Sequence, residues 1–140
     1  MMWKDKYKVG VESIDDQHRE LFKRLEEFIQ IVQNKDVKWE DRLNKAKEVL
    51  SFLQDYVVFH FEDEEKFQES INYPDIDIHK EAHRKFRAGI NEYVEIFIDG
   101  GFTEEKMQEF SAKLMTWLIM HVGKMDQKIG EYINHKGVDA

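Results

Sequence analysis

Five of the six histidines in this 140-residue chain, His18, His60, His79, His83 and His121, stand at spacings that a helical metal site needs. Two carboxylates complete the pattern: Glu64, four residues after His60, and Asp126, five after His121. On a helix, positions i and i+4 share a face with Cβ atoms about 5–6 Å apart. His79 and His83 can therefore reach one metal, and His60 and Glu64 can place an imidazole beside a carboxylate. Each of these motifs alone is weak, because a single buried histidine is usually a hydrogen-bonded core residue. Jointly they are not. Burying five imidazoles and two carboxylates without metal leaves polar groups unpaired, at about 1–3 kcal/mol each. The donors are nitrogen and oxygen only. Imidazole suits iron, zinc, copper or nickel, and bridging carboxylates favour a paired site; the spacing does not choose among the metals.

The elements that must carry these residues are helices. One proline and seven glycines leave few breaks, and apolar residues recur at three and four. The first helix is expected over about 16–34, with Asp15 or Asp16 as its cap. The second covers about 40–69, on the stripe Leu43, Ala46, Leu50, Leu53, Val57, His60, Glu64 and Phe67. Asn72-Tyr73-Pro74-Asp75 reads as a turn. The third covers about 77–98, closed by Asp99-Gly100-Gly101. Thr103 opens the fourth, whose stripe is Met107, Phe110, Leu114, Trp117 and His121, and a short helical tail reaches about Asn134. The expected fold is all-α: one domain over 1–140, an up-down-up-down antiparallel four-helix bundle with an N-terminal arm over 1–12. In that topology His18 and His79 lie early in their helices, and His60 and His121 lie late. All four therefore meet at one end. Asp126 is out of phase. Five residues of α-helix turn through about 500°, which aims it roughly 140° from His121. A π-type widening or a break near Gly123 is required to bring it in.

Composition narrows the function. A net charge of −8 offers no surplus of cations for nucleic acid or an anionic membrane. The absence of cysteine excludes disulfides, iron–sulfur clusters and zinc thiolates. The N-terminus has no apolar core of a signal peptide, and no apolar run reaches transmembrane length. The cytoplasm is the expected location, and His135 is expected at the surface.

The residues resemble the hemerythrins, in particular the single-domain bacterial type. The likeness spans nearly the whole chain: residues 10–22 (GVESIDDQHRELF), His60-Phe61-Glu62-Asp63-Glu64-Glu65, Tyr73-Pro74, His79 with His83, and Trp117-Leu118 with His121-Val122 and Asp126. Gln68 departs from it, standing where many bacterial members carry methionine. The resemblance implies a non-haem centre of two iron ions. His79, His83 and His121 would hold one iron and His18 and His60 the other, with Glu64, Asp126 and an oxygen bridging them. It implies reversible O2 binding, for storage, delivery or sensing, rather than an enzyme. It also implies an apolar O2 pocket lined by Phe61, Trp117, Leu118 and Val122, and a monomer, with an oxygen-consuming protein as the partner class left open. The competing readings are a di-iron enzyme that scavenges peroxide or nitric oxide, and a redox- or iron-responsive regulatory protein.

Overall fold

The computed structural model describes residues 3–136; Met1 and Met2, the start of the expected arm, lie outside the described residues. A 3-10 turn, Asp5–Tyr7, precedes helices α1 (Glu12–Gln33), α2 (Trp39–Ser70), α3 (Ile76–Gly100), α4 (Glu104–Met120) and α5 (Gln127–Lys136). A π turn, His121–Met125, joins α4 to α5. The molecule is an all-α bundle in which α1 packs on α2 and α4, α2 on α3, and α3 on α4. Among the described residues, no helix is long and apolar enough to cross a membrane.

Side-chain contacts fix which helix ends lie together. At one end, Arg42 of α2 donates to the carbonyls of Ile31 (3.0 Å) and Val32 (2.7 Å) near the end of α1. It also pairs with Glu104 at the start of α4. Trp39 donates through Nε1 to the carbonyl of Phe102, just after α3, at 2.9 Å. At the other end, Gln17 of α1 donates to Asp63, late in α2, at 2.7 Å. There His79, early in α3, meets Asp126, beyond α4, at 2.9 Å. Successive helices thus reverse direction.

Arg42 supplies donors that the last carbonyls of α1 lack within the helix. Thr103 caps α4, its Oγ1 accepting from the Lys106 amide at 3.2 Å. Gly101, at φ +91°, a conformation that side chains resist, closes α3 as its amide donates a hydrogen bond to the Phe97 carbonyl at 2.8 Å.

Two apolar clusters form. The larger fills the bundle and is centred on Phe28, Phe97 and Phe110, all with no exposure. Rings of this size bury on the order of 150–250 Å² each. The smaller joins Val9, Val11 and Ile14 to Ile71, Tyr73, Ile129 and Ile133. The chain passes from one cluster to the other at three of the metal-ligand candidates. His18 lies between Ile14 and Leu21, Glu64 between Phe61 and Ile71, and Asp126 between Val122 and Ile129.

Two expectations need correction. Neither Asp15 nor Asp16 caps α1, which begins at Glu12 after Val11 with no side-chain cap. Gly10, at φ +100°, turns the arm so that the helix starts early. The Asp15 carboxylate instead accepts the Val9 amide at 2.7 Å and the Gly10 amide at 3.1 Å. Asp16 faces outward to Arg19. On α2, Phe67 is only half-buried, while Gln68 is fully buried in its place. The inner face of α2 thus advances by four from Glu64 where a step of three was expected.

Asp15 therefore holds the arm against the bundle. Asp15→Ala is expected to cost about 2 kcal/mol in urea unfolding, because a buried amide loses a charged acceptor. Protease should then cut within residues 3–11 first; an arm as resistant as the parent's would refute the role.

Candidate metal centre

Each donor reaches the centre by its own local route. His60 and Glu64 lie one turn apart on α2, as do His79 and His83 on α3. His18 comes from the start of α1 and His121 from the end of α4. Asp126 arrives through the π turn, whose widened geometry appears as an i to i+5 bond from the Asp126 amide to the His121 carbonyl at 2.8 Å. Two features support that turn. Gly123 leaves room for Tyr7 of the arm, since a Cβ there would lie 3.2 Å from the ring. The Gln127 side chain donates to the carbonyls of Val122 at 3.2 Å and Tyr7 at 2.8 Å.

All seven predicted donors come together, and all are buried. Their arrangement is divided. Glu64 Oε2 lies 3.3 Å from Nε2 of both His18 and His60. Its Oε1 faces Nε2 of His83 at 3.2 Å, His121 at 3.7 Å and His79 at 3.8 Å. Asp126 divides in the same way. Its Oδ2 lies 3.1 Å from His18, while its Oδ1 lies 2.9 Å from His79 and 3.2 Å from His121. Each carboxylate thus turns one oxygen toward the α1–α2 histidines and the other toward the α3–α4 histidines, Glu64 meeting two and three of them and Asp126 one and two. Two donor groups compact enough to hold an ion emerge. His18, His60, Glu64 and Asp126 form one, and Glu64, His79, His121 and Asp126 the other, with donor atoms in each within 4.8 Å of one another.

The chemistry of these atoms fits metal. His18 Nε2, His60 Nε2, both Glu64 oxygens and Asp126 Oδ2 are buried without a hydrogen-bond partner. His83 Nε2 and His121 Nε2 point at each other across 3.1 Å. Five lone-pair-bearing nitrogens converging on carboxylate oxygens suit a cation better than each other.

Without metal, protons play that part. Burial opposes charge on His18, but the adjacent Asp126 and Glu64 carboxylates outweigh it and raise its pKa to about 9. The same opposition, decided by the same two carboxylates, raises His121 to about 10. Burial lowers His60, and Glu64 does not overcome it. Burial also disfavours the Glu64 anion, yet His121, His18, His60 and His83 hold it well below the usual carboxylate range. Asp126 is lowered too, His121 and His18 prevailing over burial and over Glu64.

The outer nitrogens are held by residues that intrahelical spacing could not reveal. His60 Nδ1 lies 2.7 Å from Gln17 Oε1, and Gln17 is itself held by Asp63. His83 Nδ1 lies 2.8 Å from Glu65. Such partners fix the tautomer and orient Nε2 inward. Gln17 and Glu65 sit next to ligand candidates in sequence, which is the one signal they carry.

Of the expected pocket residues, Phe61 stacks on His83 at 3.9 Å between ring centroids, and its ring lies 5.5 Å from His121 and 5.7 Å from His60. Leu118 and Val122 are buried beside it in the main core. Trp117 is half-buried at the α3–α4 seam, over Gly89 and against Phe86. It lines an outer cleft of about 330 Å³ together with Met120, Met125 and the edge of His121. His135 is exposed.

Similar proteins match most of this chain. A bacteriohemerythrin of Clostridium acetobutylicum is 29% identical over 134 residues, covering 95% of this chain and 98% of the relative. One from Stenotrophomonas maltophilia is 28% identical, covering 95% of this chain and 81% of its own. One from Campylobacter jejuni is 29% identical, with 88% and 87% covered. The model of the hemerythrin HHE cation binding domain matches residues 9–133, a span that takes in all seven donors. The chain therefore belongs to the hemerythrin HHE cation binding domain family.

Proposed function

We propose that the seven donors hold two iron ions and that the protein binds O2 reversibly, as a carrier, store or sensor and not as an enzyme. The observation that carries this reading is the divided carboxylates. Glu64 faces His18 and His60 with one oxygen and His79, His83 and His121 with the other, and Asp126 faces His18 with one oxygen and His79 and His121 with the other. In this reading His79, His83 and His121 serve one iron, His18 and His60 the other, and the carboxylates bridge them. The names of the bacteriohemerythrin relatives, in this family, support iron over the other metals that imidazole suits.

Bound iron supplies the electrons that O2 binding requires; the chain supplies position, charge and dryness. The pair has one imidazole fewer than the trio, which leaves room there for a small ligand. Gln17 keeps His60 turned inward. Phe61, Leu118 and Val122 exclude water on the apolar side, and a water-free shell slows unwanted electron loss. Five imidazoles with two carboxylates make the centre less anionic than carboxylate-rich di-iron sites. That favours binding over cleavage of O2.

Metal and protons compete for the same nitrogens. His18 and His121, with pKa values of about 9 and 10, both lie above the unfolded value of about 6.5. Their contribution to metal-free stability is complete below about pH 6.5 and is lost as pH rises through about 9 to 10. The lowered carboxylates contribute in the opposite sense, above about pH 4, and lose it on acidification. Metal-free protein is therefore expected to melt lower at about pH 10 than at about pH 6. Loading Fe2+ at about pH 7.5 should release protons from both histidines into weakly buffered solution. Loading without proton release would contradict the charged metal-free state.

The function itself is tested by optical spectra of the iron-loaded protein, reduced without oxygen, exposed to air and then purged. A visible band that appears with O2 and disappears on purging is the expected result. Irreversible oxidation in the first cycle, or rapid turnover of added peroxide, would replace the carrier reading with a redox enzyme or sensor. Leu118→Ala, which opens the dry side, is expected to shorten the life of the oxygenated form about tenfold or more; an unchanged lifetime would remove Leu118 from the pocket.

A further inference from the structure

Gln68 is fully buried, yet neither its amide oxygen nor its amide nitrogen has a hydrogen-bond partner. A buried carboxamide left in this state costs about 1–3 kcal/mol, so its retention calls for a use. It stands on the inner face of α2, one turn beyond Glu64.

The pairing of α2 with α3 says what lies opposite. Glu65 meets His83 at 2.8 Å, and Glu69 meets Lys80 at 3.2 Å. One turn forward on α2 is therefore one turn back on α3. Glu64 faces His83 Nε2 at 3.2 Å. The same step carries Glu64 to Gln68 and His83 to His79, so Gln68 and His79 share a level. His79 is 1% exposed. Its Nε2 is directed at Asp126 at 2.9 Å, while its Nδ1 is buried with no partner. By contrast, His60 and His83 have theirs, in Gln17 and Glu65. His18 Nδ1 also lacks one, but His18 packs on His60, with ring centroids 4.6 Å apart, two turns of α2 away from Gln68.

We propose that Gln68 is the positioning residue for His79: its carboxamide oxygen accepts from His79 Nδ1–H, directly or through one buried water, once Nε2 is committed to metal. The inference rests on the metal-site reading above. It adds a chemical distinction. Glu65 presents a carboxylate to His83 and orients it with a charged group. Gln68 orients His79 with a neutral group and adds no charge to a centre that already holds two carboxylates. A thioether at this position could fill the space but could not accept so strong a hydrogen bond.

The test uses the full chain with Zn2+ as probe, comparing the parent with Gln68→Met and Gln68→Glu. Urea unfolding of the metal-free proteins and Zn2+ affinity by chelator competition are measured together. Gln68→Met removes two unpartnered polar atoms, so metal-free stability should hold or rise. Its Zn2+ affinity should nevertheless fall by about 10-fold or more, the usual cost of losing a ligand's outer partner. Gln68→Glu keeps an acceptor oxygen and should stay within a few-fold of the parent. In the Zn2+-loaded parent, nitrogen-15 NMR should show a protected Nδ1 proton on His79, a readout that stands even where a variant fails to fold. Parent-like affinity in Gln68→Met, or a loss no larger than its loss of stability, would overturn the proposal. So would a His79 Nδ1 proton in rapid exchange with solvent. A parent chain that does not bind Zn2+ would overturn the metal-site reading as well, which separates the two failures.

Discussion

Two carboxylates buried among five imidazoles are the constraint on which the rest of the structure depends. An isolated ion at such depth costs several kcal/mol, and the walls above and below are apolar. The metal-free chain meets this by balancing charge. His18 and His121 are raised toward the cation, while Glu64 and Asp126 are held as anions. Two positive and two negative groups then face one another at 3.1–3.7 Å. The cluster is close to neutral as a whole, so it can exist before metal arrives and keeps its donors aimed inward. Under the proposed reading, metal would then replace protons at nitrogens that are already in place.

That cluster divides the apolar interior in two. The phenylalanine-rich core beyond it and the Arg42 network at the far end can hold the four helices together without reference to the centre. The smaller cluster cannot. Val9, Val11, Ile129 and Ile133 belong to segments that meet only because the arm crosses α5. Gly130 makes that crossing possible, since a Cβ there would lie 2.4 Å from the Val9 carbonyl oxygen. Arm, π turn and α5 form a lid whose placement and that of Asp126 are one problem. Tyr7 packs on Gly123, Gln127 binds the Tyr7 carbonyl, and Asp15 holds the arm's amides.

What the sequence disclosed follows the same physics. The convergence of the seven donors was legible because most of them obey periodicities within single helices, and the turn around Gly123 was legible because Asp126 violates one. Residues that depend on how helices are set against each other were not. Gln17 finds His60 across 43 positions and Glu65 finds His83 across 18, and no spacing rule encodes either. Asp15 misled for a related reason. An acidic residue ahead of an apolar stripe is a cap only if the helix begins there, and the glycine turn at Gly10 moved the start. Phe67 and Gln68 show the limit of apolar patterning itself: the polar residue went in and the aromatic one toward the surface, because the face was set by Glu64 and not by hydrophobicity.

The two sides of the centre differ in their access to water, and the difference follows from which helices surround them. His18 and His60 have no exposure and are enclosed by α1 and α2. His121 is 7% exposed at the floor of the cleft that Trp117 and Met120 line between α3 and α4. Under the proposed reading, the trio of histidines takes the wetter side, and the pair, where a ligand has room, takes the sealed one. Water arriving through the cleft therefore meets the metal whose protein donors are most complete. A small apolar molecule is not held to that route. Leu21, Leu53, Leu114 and Leu118 border a small apolar void of about 20 Å³, where water would lose its hydrogen bonds and an apolar molecule would not. Under that reading, selection for O2 over water would be a property of the asymmetric bundle around the centre, as much as of the metal it would hold.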